Sequence, residues 1–200
     1  MIKEIPNRFI LPLIAASSVI RKEKIFIHLL IRAKEKRISA RKIYEVLLQS
    51  YLFAGFPSAL IALKTFSKIF PAFRTNKEIL LYSILKKRGE KTCKKIYGDK
   101  FNKLIENVNS FSPDLAEYII IEGYGKILSR NQLSLKEREL AIISVLSVLK
   151  YEEQLYSHIN GAYRLGIKIP VVCELIDSLR ILGNGTYSAF GKKILDRFNK

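Results

Sequence analysis

Residues 139–159, ELAIISVLSVLKYEEQLYSHI, carry the pattern that decides the fold of this 200-residue chain. The stretch 141–149 is apolar on every side of a helix, which indicates a buried central helix rather than a surface one. The capping box Ser134–Glu137 begins this helix, and a second helix follows over 151–165 and ends at Gly166. No segment alternates apolar and polar residues as a half-buried strand does. The sequence therefore predicts an all-α protein.

Other capping and turn residues predict more helices along the chain. Helix starts are expected at Ser39, at Pro57 and at Ser112, which precedes a proline. Residues 75–78, TNKE, form a second capping box, and Gly89 is the expected end of that helix.

The central stretch has a counterpart near the N-terminus. Residues 9–29, FILPLIAASSVIRKEKIFIHL, can be laid over 139–159 without a gap. Matched pairs are Ser17 with Ser147, Glu23 with Glu153 and His28 with His158, the only two histidines. Such self-similarity argues for duplicated helical units.

The repeat predicts the organisation of the chain. We expect two tandem, unequal repeats, a degenerate one over 1–75 and a more complete one over 76–200, within one compact unit. A one-residue slip then places Glu45 on Glu174. Residues 9–20 resemble a short signal peptide, but the repeat makes them a structural helix. They are also too short and too proline-interrupted for a membrane span, so no membrane partner is expected.

The net charge and the cysteine content limit which partners and which compartment are expected. The net charge of +17 fits either a polyanion partner or a solvated lysine-rich surface. We favour the second because acidic residues interrupt both basic stretches, 21–42 and 86–103. Cys93 and Cys173 are isolated, which argues against structural zinc, a redox pair or a disulfide framework. A reducing, cytoplasmic location is therefore expected.

Four segments together resemble a known family. They are YGD at 97–99, YGKILSRNQLSLKEREL at 124–140, AIISVLSVLKYEEQLYSHINGAYRLG at 141–166 and ISARKIYEVLLQSYLFAGFPSALIAL at 38–63. This combination resembles the carboxymuconolactone decarboxylase family, within the alkylhydroperoxidase D-like superfamily. The resemblance implies that superfamily's helical fold. Relatives in this family assemble into rings, so it also implies self-association, as a homotrimer or hexamer-like ring.

The chain departs from the peroxidase branch of that superfamily. Glu139 and His158 match its frame, but Tyr151 and Gln154 stand where its CxxC cysteines would be. This argues against thiol peroxidase chemistry and places the chain nearer the decarboxylase branch. The first repeat has Phe9 where the second has Glu139, so the two halves keep different parts of the pattern.

The resemblance implies loss of carbon dioxide from an unsaturated lactone acid without a cofactor or metal. Such a reaction needs a cation for the carboxylate and an acid that reprotonates carbon. Glu139 and His158 are the candidate catalytic pair. Each also has a structural interpretation: a first-turn glutamate that stabilises its helix, and a hydrogen-bonded helical histidine. Candidate substrate-binding residues are Arg130, Arg138, Tyr124, Tyr151 and Gln154.

Three functions remain open at this point. An enzyme requires Glu139 and His158 to converge on a cavity that admits a small acid or lactone. A nucleic-acid binder, which we do not favour, requires cations gathered on one face with aromatic rings for stacking. An inactive helical scaffold requires His158 to be packed without a cavity. For Arg130 we favour a structural interpretation, in which its charge stabilises the C-terminus of a helix.

Overall fold

The computed structural model describes residues 5–76, 78–183 and 185–198. Every regular element within these ranges is helical and none is a strand. The prediction of an all-α protein is confirmed, and the architecture is consistent with an alkylhydroperoxidase D-like fold. The helices are α1 (Asn7–Val19), α2 (Glu23–Glu35), α3 (Ala40–Gln49), α4 (Tyr51–Ile69), α5 (Tyr82–Tyr97), α6 (Phe101–Asn109), α7 (Pro113–Tyr118), α8 (Leu135–Leu149), α9 (Glu152–Arg164), α10 (Ile169–Ser178) and α11 (Thr186–Phe198), with short 3-10 turns at Gly98–Lys100 and Leu179–Leu182 and a π-helical turn at Ile119–Leu128.

Helices α1 and α8 form the centre of the molecule. They pack against each other, and α2, α3, α4, α9, α10 and α11 surround them. Nearly every side chain of α1 from Phe9 to Val19 is buried, as is every side chain of α8 from Arg138 to Val148 except Leu140. Because both helices are apolar on all sides, burying them together removes the most hydrophobic surface from water. The predicted central position of residues 141–149 is confirmed.

Two of the helix caps predicted from the sequence are present in the structure. The Ser134 hydroxyl accepts the N–H of Glu137 at 3.2 Å, and the Glu137 carboxylate accepts the N–H of Ser134 at 2.9 Å. Ser112 likewise accepts the N–H of Leu115 at 3.3 Å and is followed by Pro113 in the first turn of α7. These side chains satisfy amide groups that a helix start leaves unpaired.

The expected helix end at Gly89 is wrong. Helix α5 runs through Gly89 and ends at Gly98, whose φ of 60° favours glycine. A Cβ at Gly89 would lie 2.1 Å from the carbonyl oxygen of Ile120, and one at Gly125 would lie 2.3 Å from that of Leu85. Both glycines therefore serve close packing between α5 and the π-helical turn. The expected capping box at 75–78 includes residue 77, which lies outside the described residues.

Helix α4 is broken near its start. Gly55 has φ 73° and ψ 169°, and the helix resumes at Pro57 nearby, as the sequence predicts. Among the described helices, α4 alone has the length and apolar composition of a membrane span, and only 17% of its most apolar window is buried. The straight part after the break is about 20 Å long at about 1.5 Å per residue. That is shorter than a bilayer core of about 30 Å.

The helices of the two halves occur in the same order and at the spacing that the proposed repeat predicts. Helices α1 to α3 correspond in order to α8 to α10, with starts offset by about 130 residues. The matched histidines differ in environment, because His28 is exposed and His158 is buried, whereas Phe9 and Glu139 occupy matched positions and are both buried. The duplication and the division at residue 75 remain predictions.

The close approach of α5 to the π-helical turn predicts the effect of a single methyl group. We expect Gly89→Ala to lower the free energy of unfolding by about 1–3 kcal/mol, because the added Cβ would overlap backbone atoms. Gly123→Ala is the matched control, since a Cβ there meets nothing within 4 Å. Urea unfolding followed by circular dichroism measures both. Equal stability of the two variants would contradict the packing role of Gly89.

Candidate active site

Glu139 and His158 meet inside the helical bundle. Glu139 lies near the start of α8 and is fully buried, and His158 lies in α9 with 7% of its side chain exposed. The Oε2 atom of Glu139 is 2.8 Å from Nδ1 of His158. Gly161 makes this approach feasible, because a Cβ there would lie 3.2 Å from Glu139 Oε2 and 2.6 Å from Ile96 Cγ2.

The hydrogen bond with Glu139 determines which nitrogen of the imidazole can exchange a proton with a substrate. An ionised carboxylate only accepts hydrogen bonds, so the Nδ1–H of His158 donates to Glu139. The second nitrogen, Nε2, is then a proton acceptor in the neutral ring and a proton donor in the protonated ring. A carboxylate that holds one imidazole nitrogen in this way orients the ring for proton transfer at the other.

Glu139 has one oxygen with no hydrogen-bond partner. Its Oε1 atom is buried and makes no hydrogen bond within the described residues. Leaving a buried carboxylate oxygen unpaired costs free energy, which structural glutamates normally avoid. This orphaned acceptor is a feature of sites where a substrate or an ordered water completes the hydrogen bonding.

Aromatic rings surround the imidazole. The rings of Phe53 and Tyr97 meet the His158 ring edge to face, with centroids at 6.1 Å and 6.5 Å. Tyr97 meets Tyr124 in the same way at 6.3 Å. Phe53 belongs to α4, so the first half of the chain contributes to the surroundings of a pair that lies in the second half.

Burial governs the ionisable groups next to this pair. It raises the pKa of the Tyr97 hydroxyl to about 12, although a hydrogen bond with Tyr124 acts in the opposite direction. Burial also raises the pKa of the Cys93 thiol to about 12, again opposed by a hydrogen bond with Tyr124. The pKa of Tyr124 lies well above its usual value for the same reason. These groups are neutral at physiological pH, so Glu139 lies in a weakly polar environment.

Arg130 and Arg138, predicted to bind substrate, both contact Glu45. Arg130 makes a bidentate contact, with Nε 2.9 Å from Oε2 and Nη2 2.9 Å from Oε1 of this fully buried carboxylate. Nη2 of Arg138 lies 3.2 Å from Glu45 Oε2, and its Nη1 donates to Gln49 at 2.9 Å. Arg138 is 1% exposed. The structure therefore shows both guanidinium groups neutralising Glu45.

Tyr124 lies beside the pair, whereas Tyr151 and Gln154 lie away from it. Tyr151 precedes the first residue of α9 and is 49% exposed, and Gln154 is exposed in the first turn. Helical spacing places both on the same side of α9 as His158, but at its start, where their side chains are exposed. The roles of Tyr124, Tyr151 and Gln154 in binding stay predictions.

Five surface cavities of the described ranges are lined by other residues. The largest, about 790 Å³, lies between α4 and the π-helical turn and is bordered by Tyr51, Glu122, Lys126 and Arg130. A smaller one of about 290 Å³ is bordered by Tyr97. Neither Glu139 nor His158 lines any of the five. The pair therefore meets, but not on any of these five cavities, and this packing is the one expected of an inactive scaffold. An enzyme then requires access past a neighbouring side chain, and Tyr97 both lines the smaller cavity and contacts the imidazole.

Sequence reasoning did not identify several residues around the pair. The sequence does not single out Phe53. It gives Glu45 and Gln49 only as the ends of the Glu-Val-Leu-Leu-Gln segment in the family resemblance, and Glu45 also as the match to Glu174. One signal was present: Glu45 sits within an otherwise apolar helical face, between Ile43 and Val46. A carboxylate in such a position must find a cation when it is buried.

The raised pKa of Cys93 predicts a protected thiol. In the Cys173→Ser protein at about pH 9.5, we expect Cys93 to react with a disulfide reagent at least about 100-fold more slowly in the native state than in urea. The thiolate is the reactive form, and burial keeps the native thiol protonated at this pH, whereas an ordinary thiol of pKa 9.0 is mostly ionised. Absorbance of the released thiol measures the rate. Equally fast labelling of native and unfolded protein would contradict it.

Comparisons of the sequence with known proteins find three relatives that bear on its family. No model of a protein family matches the chain. It is 31% identical over 91 residues to a 4-carboxymuconolactone decarboxylase of Acinetobacter baylyi, covering 45% of this chain and 68% of that protein. Peroxisomal protein 2 of Saccharomyces cerevisiae is 26% identical over 177 residues, which cover 74% of this chain and 62% of that protein.

The third relative is also a fungal protein. Peroxisomal protein 2 of Schizosaccharomyces pombe is 31% identical over 129 residues, covering 62% of this chain and 61% of that protein. The matches thus span about six-tenths of the length of the two peroxisomal proteins. The match to the bacterial decarboxylase covers more than two thirds of that enzyme. On this similarity, the chain belongs to the carboxymuconolactone decarboxylase family.

Proposed function

We propose that the protein catalyses cofactor-free decarboxylation, or a related proton transfer, on a small lactone or carboxylic acid. The observation that carries the proposal is the buried hydrogen bond between Glu139 and His158. Two features support it beyond the distance. The second oxygen of Glu139 has no hydrogen-bond partner among the residues that the structure describes, and the imidazole keeps a small exposed fraction.

The proposed reaction has two steps at the substrate carbon. The bond from that carbon to the carboxylate breaks, carbon dioxide leaves, and the electron pair passes into the conjugated lactone as an enolate. The protonated imidazole of His158 then donates its Nε2 proton to carbon. Glu139 holds the ring in place through Nδ1 and stabilises its charged form in the transition state. The apolar surroundings favour loss of a charged carboxylate as neutral gas.

Thiol peroxidase chemistry is not part of the proposal. Burial raises the pKa of Cys93 to about 12, so its thiol lacks the ionised form that attacks peroxides. Cys173 lies on a different helix, α10, far along the chain. The positions that carry cysteines in the peroxidase branch hold Tyr151 and Gln154.

The catalytic role of His158 predicts a specific loss of activity. With 4-carboxymuconolactone and related lactone acids as substrates, we expect His158→Asn to lower kcat/KM by about 100-fold or more, because general acid catalysis contributes about that much. Glu139→Gln should lower kcat more than it changes KM, since it removes the charge that stabilises the imidazolium. Release of carbon dioxide and thermal unfolding are measured together for each variant.

The chain offers a matched control for this test. His28→Asn makes the same replacement at the exposed histidine of the first half, and it should leave kcat/KM unchanged. If the wild-type protein releases no carbon dioxide from the lactone acids, or if His158→Asn retains full activity, the proposal is wrong. The alternatives are then an inactive helical scaffold and a nucleic-acid binder. Salt-dependent binding to single-stranded oligonucleotides, with a steep loss of affinity as salt rises, would identify the second.

We also propose that the protein associates with further copies of itself through α4. After the break at Gly55, the helix exposes large apolar side chains, with Phe56 and Leu60 each 68% exposed and Ile61 50% exposed. A contiguous exposed apolar face is typical of an interface. The ring assemblies implied by the family resemblance support a second copy of this chain as the partner, in a trimer or hexamer-like ring.

A charged substitution on this face tests the association. We expect wild-type protein to sediment as a trimer or larger species and Leu60→Glu to shift it to monomer, because a buried unpaired carboxylate costs several kcal/mol at each interface. Lys86→Glu is the control on α5, at an exposed lysine outside the proposed face, where a carboxylate remains hydrated. Sedimentation velocity over a range of concentrations measures the species. A monomeric wild-type protein would contradict the proposal.

A further inference from the structure

An acid substrate needs a cation, and the two arginines nearest the site already have a partner. Arg138 is buried and hydrogen-bonded to Glu45 and Gln49, and Arg130 binds both oxygens of Glu45. Redirecting either guanidinium to a substrate would break hydrogen bonds to a fully buried carboxylate, which costs free energy. A cation without such buried partners is therefore the better candidate for holding a substrate carboxylate.

A basic cavity lies on the other side of Tyr97. Its volume is about 290 Å³, and its cations are Lys100, Lys103 and Arg164. Lys100 and Lys103 are exposed and form no ion pair within the described residues. Arg164 has only a long contact of 3.7 Å to Asp99, whose side chain is 86% exposed. Three positive charges thus surround this cavity with almost no internal neutralisation.

The backbone at the end of α5 gives the cavity its shape. Gly98 takes a φ of 60° and ψ of −129°, which turns the chain sharply into the segment that carries Lys100 and Lys103. A Cβ at Gly98 would lie 3.4 Å from Nε of Arg164, so the arginine packs directly over this turn. Nη1 of Arg164 also approaches the carbonyl oxygen of Ile96 at 3.5 Å, which holds it at the cavity wall.

Tyr97 is the partition between the cavity and the catalytic pair. Its side chain lines the cavity, and its ring meets the His158 ring edge to face at 6.5 Å with an interplanar angle of 73°. Ser157, the chain neighbour of His158, also lines the cavity. Rotation of one partly buried ring would therefore join the cavity to the imidazole.

We infer that this cavity is the entrance for a small carboxylate substrate, with Lys100, Lys103 and Arg164 attracting and holding the anion and Tyr97 as the gate to His158. The inference rests on the proposed acid–base role of His158. The cations attract and hold the anion at the mouth, and the carboxylate that leaves as carbon dioxide then passes Tyr97 to reach Glu139 and His158. Tyr97 acts by admitting the substrate and is not itself a proton donor in this scheme.

A second basic cavity is an alternative binding site for the anion, which the experiment has to exclude. It has a volume of about 510 Å³ and is lined by Arg88, Lys91, Lys95 and Arg130. Arg88 is bound to Glu78 and Ser129, and Arg130 to Glu45. No ring that contacts His158 lines this cavity. Lys91 and Lys95 nevertheless carry the same charge as Lys100 and Lys103 and lie close by on α5.

The two histidines of the chain make binding directly observable. In the His28→Asn background, the imidazole signal in the NMR spectrum comes from His158 alone. The probe is 5-oxotetrahydrofuran-2-carboxylate, a saturated lactone acid whose carboxylate is not conjugated with an electron sink. We expect a saturable shift of the His158 ring signals on titration. Lys100→Gln with Lys103→Gln should weaken binding about tenfold, and Lys91→Gln with Lys95→Gln less than twofold.

Variants of the gate separate entrance from chemistry. Tyr97→Ala should accelerate exchange of the probe at His158, whereas Tyr97→Phe, which keeps the ring, should leave it unchanged. Equal loss of affinity in the two lysine pairs, or no saturable shift at His158, would overturn the inference. Binding with no release of carbon dioxide from lactone acids would refute the proposed reaction and leave the entrance intact. If lactone acids are turned over with a KM that Lys100→Gln with Lys103→Gln leaves unchanged, the entrance is refuted and the proposed reaction stands.

Discussion

The structure depends on how one apolar helix carries two adjacent charged residues into the core. Arg138 and Glu139 are consecutive in α8 and both are buried. Consecutive residues in a helix point about 100° apart, so the two side chains reach different neighbours. Arg138 is neutralised by Glu45 of α3, and Glu139 is hydrogen-bonded to the imidazole of His158 in α9. Because a buried charge without a partner is strongly destabilising, these two pairings constrain where α3 and α9 pack.

Glu139 pairs with a histidine rather than with an arginine. Arg138 and Arg130 both bind Glu45, and no ion pair of the described residues joins an arginine to Glu139. Glu139 instead has a histidine, the side chain whose proton exchanges most readily near neutral pH. Its other oxygen has no partner within the described residues. If both carboxylate oxygens were hydrogen-bonded within the protein, the site would be more stable, but no acceptor would remain to hydrogen-bond a substrate.

The two halves of the chain divide these tasks. Phe9 stands where the repeat would place Glu139, and His28 is exposed where His158 is buried. The first half supplies Glu45 as the counter-ion of Arg138 and Phe53 beside the imidazole, while the second half supplies Glu139 and His158. The buried ionisable groups of these contacts form two clusters, and in each of them a hydrogen-bonded partner offsets the cost of desolvation.

By itself the sequence determined the helical class, the central place of α8 and the start of that helix at Ser134, because periodicity and capping are local properties. It also indicated Glu139 and His158, through their spacing and the family resemblance. Only the tertiary structure decided that Arg138 and Arg130 bind Glu45, that Gly89 serves close packing rather than a helix end, and that Tyr97 stands between the imidazole and a basic cavity. Each of these is a contact between segments distant in sequence, and local pattern carries no information on which distant side chain will neutralise a charge or fill a gap.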